Sequence, residues 1–254
     1  MANGFERPPR WAWVVMIVGL VALAVLTPIA LQRGKVSDAE LAAAEADAAA
    51  GASPSATGTP AAPADQPVGV FLGDSYTVGE NSTEERGYAP LVAEQLGWRL
   101  VELGQSGSGY TTAGGAPDNQ VFLDRVPAVV EQAPQFVVVQ GGTNDVGVDA
   151  DQIEERAGQV LTALKTELPE AAIFVVGPAD PPQREDDQMA DVAEGLRTAS
   201  VAANVTYIDP IAEQWLTPNL FTDGLHPGDE GYEVFATRLA FDIRSALAAS
   251  APPS

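Results

Sequence analysis

No cysteine occurs in the 254 residues. That absence excludes disulfides, thiolate zinc sites and a cysteine nucleophile. Histidine is nearly as scarce: His226 is the only one, so any reaction needing an ordinary imidazole must use that ring. Asp223, Asp229 and Glu230 stand close to it in sequence. A catalytic zinc site usually takes more than one histidine, however, and no second ring exists to complete a set. No metal or cofactor is expected. Bases are few, 13 against 35 acids, which leaves a formal net charge of −22. Such a surface repels phosphate backbones, so no nucleic acid is expected as a partner. Aromatic residues make up only 7% of the chain, but the apolar fraction of 46% is ample for a packed core.

Charge is also missing locally. Residues 11–31, WAWVVMIVGLVALAVLTPIAL, contain no ionisable side chain, and about 20 apolar residues suffice for a helix to cross the ~30 Å hydrocarbon layer. Trp11 and Trp13 suit the interfacial belt, and Arg7 and Arg10 precede the run. Ala22-Leu23-Ala24 resembles a signal-peptide cleavage site, yet the apolar run continues past it. The expectation is a short tail (1–10), an uncleaved transmembrane signal-anchor helix (11–31) and an extracytoplasmic remainder, secreted if the segment is cleaved.

Residues 32–67 are rich in Ala, Pro, Ser and Thr. The portion to Ala50 has good helix formers but almost no large side chain to bury, and the stretch GASPSATGTPAAPADQP is expected to be an extended spacer. From Val68 onward the texture changes. Strands are predicted at 68–72, 99–103, 136–140, 172–176 and 205–208, with helices at 88–97, 119–132, 150–168, 185–203 and 229–249. Strands alternating with helices indicate a parallel sheet covered on both faces, and FVVVQ and AIFVV are the continuous apolar runs that such strands show. One α/β domain over 68–250 is expected, with its functional groups at the carboxyl ends of the strands.

Four polar segments fall at that rim: GDS after the first strand, GQSGSGYTT after the second, GGTND after the third, and TDGLHPGDEGY at the entrance to the last helix. Ser75 is the candidate nucleophile. A serine hydroxyl needs a neighbouring base, which here can only be His226. Asp223, three residues earlier, can orient the imidazole and stabilise its protonated form, and Pro227 suits the first helical position. Three donors are placed for a tetrahedral oxyanion: the Ser75 N–H, a glycine N–H of GSG and the Asn144 side chain. Asp74 and Asp145 could each simply brace a turn, so neither is given a catalytic role. The Gly-x-Ser-x-Gly elbow of α/β-hydrolases is absent, because Thr77 occupies its last position.

GDSY, GQSGSGY, GGTND and DGLHPGDEGY together resemble, in order and spacing, the four sequence blocks of the SGNH-hydrolase superfamily, the GDSL-type esterases and lipases. The resemblance spans essentially all of 68–250. It implies a flavodoxin-like three-layer α/β/α sandwich with a five-stranded parallel sheet. It also implies ester hydrolysis through Ser75, Asp223 and His226, with an oxyanion hole of Ser75, Gly109 and Asn144. Two positions depart from the family pattern. Tyr76 stands where leucine is usual and is expected to narrow the cleft; Gly104 stands where the second block often begins with asparagine. Gly107 competes with Gly109 for the donor role, and Gly109 fits better because it precedes YTT.

The expected function is therefore a membrane-anchored serine esterase acting on acyl esters, short-chain or acetyl, of envelope carbohydrate or lipid. The same residues would serve an acyltransferase in which a sugar hydroxyl replaces water. A non-catalytic envelope-binding domain is the reading from another class, and the intact Ser75, Asn144, Asp223 and His226 argue against it.

Overall fold

Valine, isoleucine and phenylalanine crowd on both faces of pleated backbone, and the segments rich in them form the centre of the domain. The computed structural model describes residues 66–83, 86–184 and 186–250. The predicted tail, the predicted span and all but the end of the predicted linker lie outside the described residues. Among those residues, no helix is long and apolar enough to cross a membrane.

Five strands form one sheet: β1 (Val68–Gly73), β2 (Arg99–Gly104), β3 (Phe136–Gln140), β4 (Ala172–Val176) and β5 (Thr206–Ile208). All neighbours pair in parallel, in the spatial order β2-β1-β3-β4-β5. This is the flavodoxin-type order. Side chains alternate across the pleat. Val70, Leu72, Val137 and Val139 pack against α3 (Phe122–Val130), α4 (Ala150–Glu167) and α5 (Asp186–Ala203). Phe71, Val138 and Phe174 face the opposite layer, built from α2 (Tyr88–Leu96) and α6 (Asp229–Ser250). The expected three-layer sandwich is present, and each strand lies within one residue of its predicted bounds.

The helices differ more. A short helix, α1 (Ser75–Val78), follows β1 directly where a bare turn was expected. Helix α3 is shorter than the predicted 119–132, because Asn119 and Gln120 are tied to the loop after β2. Asn119 Nδ2 donates to the Ser106 carbonyl at 2.8 Å, and the Gln120 N–H donates to Gln105 Oε1 at 2.9 Å. In a parallel sheet every strand ends at the same rim, so the segments after β1, β2 and β3 and the entrance to α6 are neighbours despite their distance in sequence.

Candidate active site

The chain turns from β1 into α1 within two residues. A side chain at Gly73 would put its Cβ 2.0 Å from Thr77 Oγ1, so only glycine allows the turn. Asp74 caps α1, its Oδ1 accepting the Tyr76 N–H at 2.9 Å. Ser75 is thereby held at the first helical position, where its own N–H is one of those a helix leaves without an internal acceptor. Asp74 is completely buried, and burial pushes its carboxyl up to about 7 against the lowering hydrogen bond from Tyr76.

The segment before α6 is organised by one carboxylate. Asp223 Oδ1 accepts the backbone N–H groups of Leu225 at 2.8 Å and His226 at 2.6 Å, while Oδ2 lies 2.9 Å from His226 Nδ1. Gly224, at φ +83°, supplies the left-handed residue that this turn needs. Burial alone would raise the Asp223 pKa. The hydrogen bonds from the His226 backbone, its ring, the Leu225 backbone and Asn81 outweigh it and hold the carboxyl well below its usual range. Asp223 is therefore ionised and accepts a hydrogen bond from the His226 Nδ1–H, which leaves the Nε2 lone pair outward. That nitrogen lies 3.0 Å from Ser75 Oγ. Three residues chosen from the sequence thus meet in one chain of hydrogen bonds.

Tyr76 does not narrow the cleft as its size suggested. It is 1% exposed, because α1 directs it beneath the histidine rather than into solvent. Its hydroxyl donates to the Leu225 carbonyl at 2.5 Å, and its ring meets the His226 ring edge-on with centroids 6.0 Å apart. Tyrosine in place of leucine anchors the histidine turn from below.

Asn144 lies in a 3-10 turn, Thr143–Asp145, just beyond β3. Its Nδ2 donates to the Ser108 carbonyl at 2.9 Å, which uses one of its two amide protons. The next residue, Asp145, is fully buried and braces the glycine-rich loop. It accepts the Tyr110 N–H at 2.9 Å, the Thr111 N–H at 2.8 Å and the Thr111 hydroxyl at 2.7 Å. A Cβ on Gly109 would lie 2.4 Å from an Asp145 carboxylate oxygen, so glycine is required by close approach. The Gly109 N–H donates to the Thr112 carbonyl at 2.7 Å. Gly107 sits at φ +74°, a backbone reason for glycine that is independent of chemistry.

Sequence reasoning missed Arg125 and Glu80. Arg125, on α3, is 5% exposed and lies beneath the site. Its guanidinium donates to the carbonyls of Leu103 (2.8 Å) and Gly73 (3.1 Å) and to Ser108 Oγ (2.9 Å). Burial lowers its pKa to about 10, which still leaves it charged. One signal was available: Phe122, Arg125, Val126 and Val129 share a helical face, so the periodicity already placed this cation on the buried stripe. Glu80, just past α1, brings Oε2 to 3.1 Å from His226 Nε2. A lone glutamate after a turn gives no sequence sign of such proximity.

Among the described residues no group of three His, Cys, Asp or Glu side chains could hold a metal ion. A cavity of about 300 Å³ lined by Lys165, Ala172 and Thr206 lies at the opposite rim, where β4 and β5 begin, and touches none of these groups.

The profile of the GDSL-like Lipase/Acylhydrolase family matches residues 71–234. The chain is 30% identical to the GDSL lipase Rv0518 of Mycobacterium tuberculosis over 185 residues, 68% of this chain and 80% of that one. Solved structures share the fold at lower identity. A carbohydrate acetylesterase from Sinorhizobium meliloti matches with TM-score 0.58 at 16% identity, over 71% of this chain and all of the other. An aryl esterase of M. smegmatis matches with TM-score 0.57 at 17% identity, over 70% and 99%. A family two carbohydrate esterase from Clostridium thermocellum, solved with cellohexaose, matches with TM-score 0.62 at 22% identity, over 74% and 67%. The chain belongs to the GDSL-like lipase/acylhydrolase family and is a hydrolase that acts on ester bonds.

Proposed function

We propose that the protein is a membrane-anchored serine esterase that cleaves short-chain or acetyl esters on extracytoplasmic carbohydrate or lipid. Ser75 is the nucleophile, His226 the general base and then acid, and Asp223 the group that fixes the imidazole tautomer. The observation that carries this reading is the relay of 3.0 Å from Ser75 Oγ to His226 Nε2 and 2.9 Å from His226 Nδ1 to Asp223. As Ser75 Oγ bonds to the ester carbonyl carbon, its proton passes to His226 Nε2. The carbonyl oxygen becomes an oxyanion and is met by the Ser75 N–H and the second amide proton of Asn144. Gly109 is the third donor, and its N–H must first exchange the Thr112 carbonyl for the substrate oxygen. The intermediate collapses when the bond to the alcohol oxygen breaks and His226 returns the proton to it. Water then repeats the sequence on the acyl-serine and releases the acid.

Support for a short acyl group comes from the polar surroundings of the nucleophile, where Glu80 and Ser75 both stand within 3.1 Å of His226 Nε2. The carbohydrate esterases among the fold neighbours favour a sugar alcohol. The charge-free run at 11–31 supports the anchor and the extracytoplasmic placement of the domain. The decisive measurement uses the detergent-solubilised full chain. It should hydrolyse 4-nitrophenyl acetate and be labelled by a fluorophosphonate, and Ser75→Ala should abolish both. Normal turnover by that variant would refute the assignment.

A further inference from the structure

The His226 nitrogen that receives the serine proton has two neighbours. Ser75 Oγ lies 3.0 Å from Nε2, and Glu80 Oε2 lies 3.1 Å from the same atom. The carboxylate is held there by its backbone. The Glu80 N–H donates to the Ser75 carbonyl at 3.1 Å, and the Glu80 carbonyl accepts the Tyr232 hydroxyl at 2.8 Å. Gly79, left-handed at φ +85°, packs too closely on Gly87 to carry a side chain, which fixes the path of the chain just before Glu80. The Glu80 side chain is 38% exposed and that of His226 is 12% exposed, so Glu80 stands on the solvent side of the ring. Its ion-pair partner among the described residues is His226, not a lysine or arginine.

This placement has a chemical consequence. A neutral imidazole accepts at Nε2, and a carboxylate can only accept, so the two give each other no hydrogen bond during serine activation. Glu80 is satisfied then only by a donor from outside the triad. Nε2 is also the atom that passes its proton to the departing alcohol, so the carboxylate borders the leaving-group side of the reaction. We propose that Glu80 is a specificity-determining residue for the alcohol part of the ester, favouring a cationic alcohol over a neutral one of equal shape and disfavouring an anionic alcohol. The inference rests on the esterase reading above. An anionic leaving group would set like charges together at a partly desolvated position, whereas a cationic one, with or without an N–H, sets opposite charges together there.

Three acetates of differing charge provide the test: acetylcholine, its neutral isostere 3,3-dimethylbutyl acetate, and 3-sulfopropyl acetate. Their kcat/KM values are to be measured on the full chain in detergent and on Glu80→Gln and Glu80→Ala. The wild type should prefer the cationic ester over the neutral one by roughly two- to fivefold and show the opposite bias for the sulfonate, the size expected of one partly exposed charge contact. Both biases should shrink towards unity in either variant, and in the wild type as ionic strength rises to about 1 M. Equal ratios in wild type and variants would overturn the proposal. So would variants that change all three rates by one common factor, because Glu80 would then act on His226 alone. If the wild type hydrolyses none of the three and fails with 4-nitrophenyl acetate as well, the esterase reading falls, and this proposal with it. Glu80→Gln keeps the size and the backbone bonds of the residue and removes only its charge, so it keeps the test decisive should Glu80→Ala fold poorly. It also separates Glu80 from the general field of the −22 net charge.

Discussion

Asn144 gives one of its two amide protons to the Ser108 carbonyl. If the second proton meets the oxyanion, the loss should appear in the transition state rather than in ground-state binding. Asn144→Ala should then lower kcat by about 10²–10³ with little change in KM; steady-state kinetics would show a purely structural role as a KM effect. Asp74 carries a second prediction. Its carboxyl is raised from 3.8 to about 7, chiefly by burial. A group raised on folding contributes stability that is fully present below its unfolded pKa and lost as pH climbs through the folded one. For this residue the window runs from about pH 4 to pH 7, with a ceiling of about 4 kcal/mol. Asp74→Asn retains an oxygen acceptor for the Tyr76 N–H and removes the ionisation. Urea midpoints of the variant should therefore decline less than wild type across that window. Superimposable curves would contradict the assignment, and the comparison cancels Glu102, which burial also raises to about 7. At this scale legibility depended on scarcity. With one histidine and no cysteine, the chain left a single choice of base, and Ser75, Asp223 and His226 followed. Glu80 was illegible because nothing in its neighbours in sequence tells which way a side chain beyond a four-residue helix will point.

Helix α3 contributes one residue that binds three other elements together. Arg125 reaches the carbonyl ends of β1 and β2 and the hydroxyl of Ser108, whose carbonyl in turn receives Asn144. The turn that carries Ser75 and the loop that carries Gly109 are thus positioned by one buried guanidinium. Arg125→Met would remove the guanidinium bonds to the Leu103 carbonyl and Ser108 Oγ, each costing about 1–3 kcal/mol if nothing replaces it. The Gly73 carbonyl keeps the Gln105 N–H at 3.0 Å; the melting temperature should fall sharply. Arg125→Lys keeps the charge, but a single ammonium cannot span the fork. It should fold, lose part of that stability and show kcat reduced at least about tenfold with KM nearly unchanged. A lysine variant with wild-type kcat would mean that Arg125 serves the core alone. Elements were legible where burial leaves a pattern. FVVVQ and AIFVV, covered on both faces, could hardly be anything but central strands. Helix α1 was not, since Ser-Tyr-Thr-Val is too short for a helical period and contains two β-branched residues. The early limit of α3 was hidden too, because Asn119 and Gln120 prefer partners in a loop that is distant until β2 and α3 have packed.

At the scale of the whole molecule, parallel topology does most of the work of assembly. His226 lies 151 residues from Ser75 in sequence, and they meet because every strand delivers its following loop to the same rim. This convergence could be anticipated from alternating strands and helices without knowing the spatial order, which arises from packing that no local segment encodes. The same scale sets the remaining prediction. The run at 11–31 has the length and the lack of charge of a membrane span, and the −22 net charge keeps the chain off anionic lipid surfaces except through such a segment. Were the domain held only by its surface, salt or alkaline carbonate would release it. We therefore expect the full chain to sediment with membranes, to stay there through a carbonate wash and to leave only with detergent, while a chain beginning at residue 32 remains in the supernatant. Mass spectrometry of the mature protein should find the N-terminal segment intact. A mature form starting near residue 25, or release by carbonate alone, would replace the anchored enzyme with a secreted one and leave the chemistry at Ser75 unchanged.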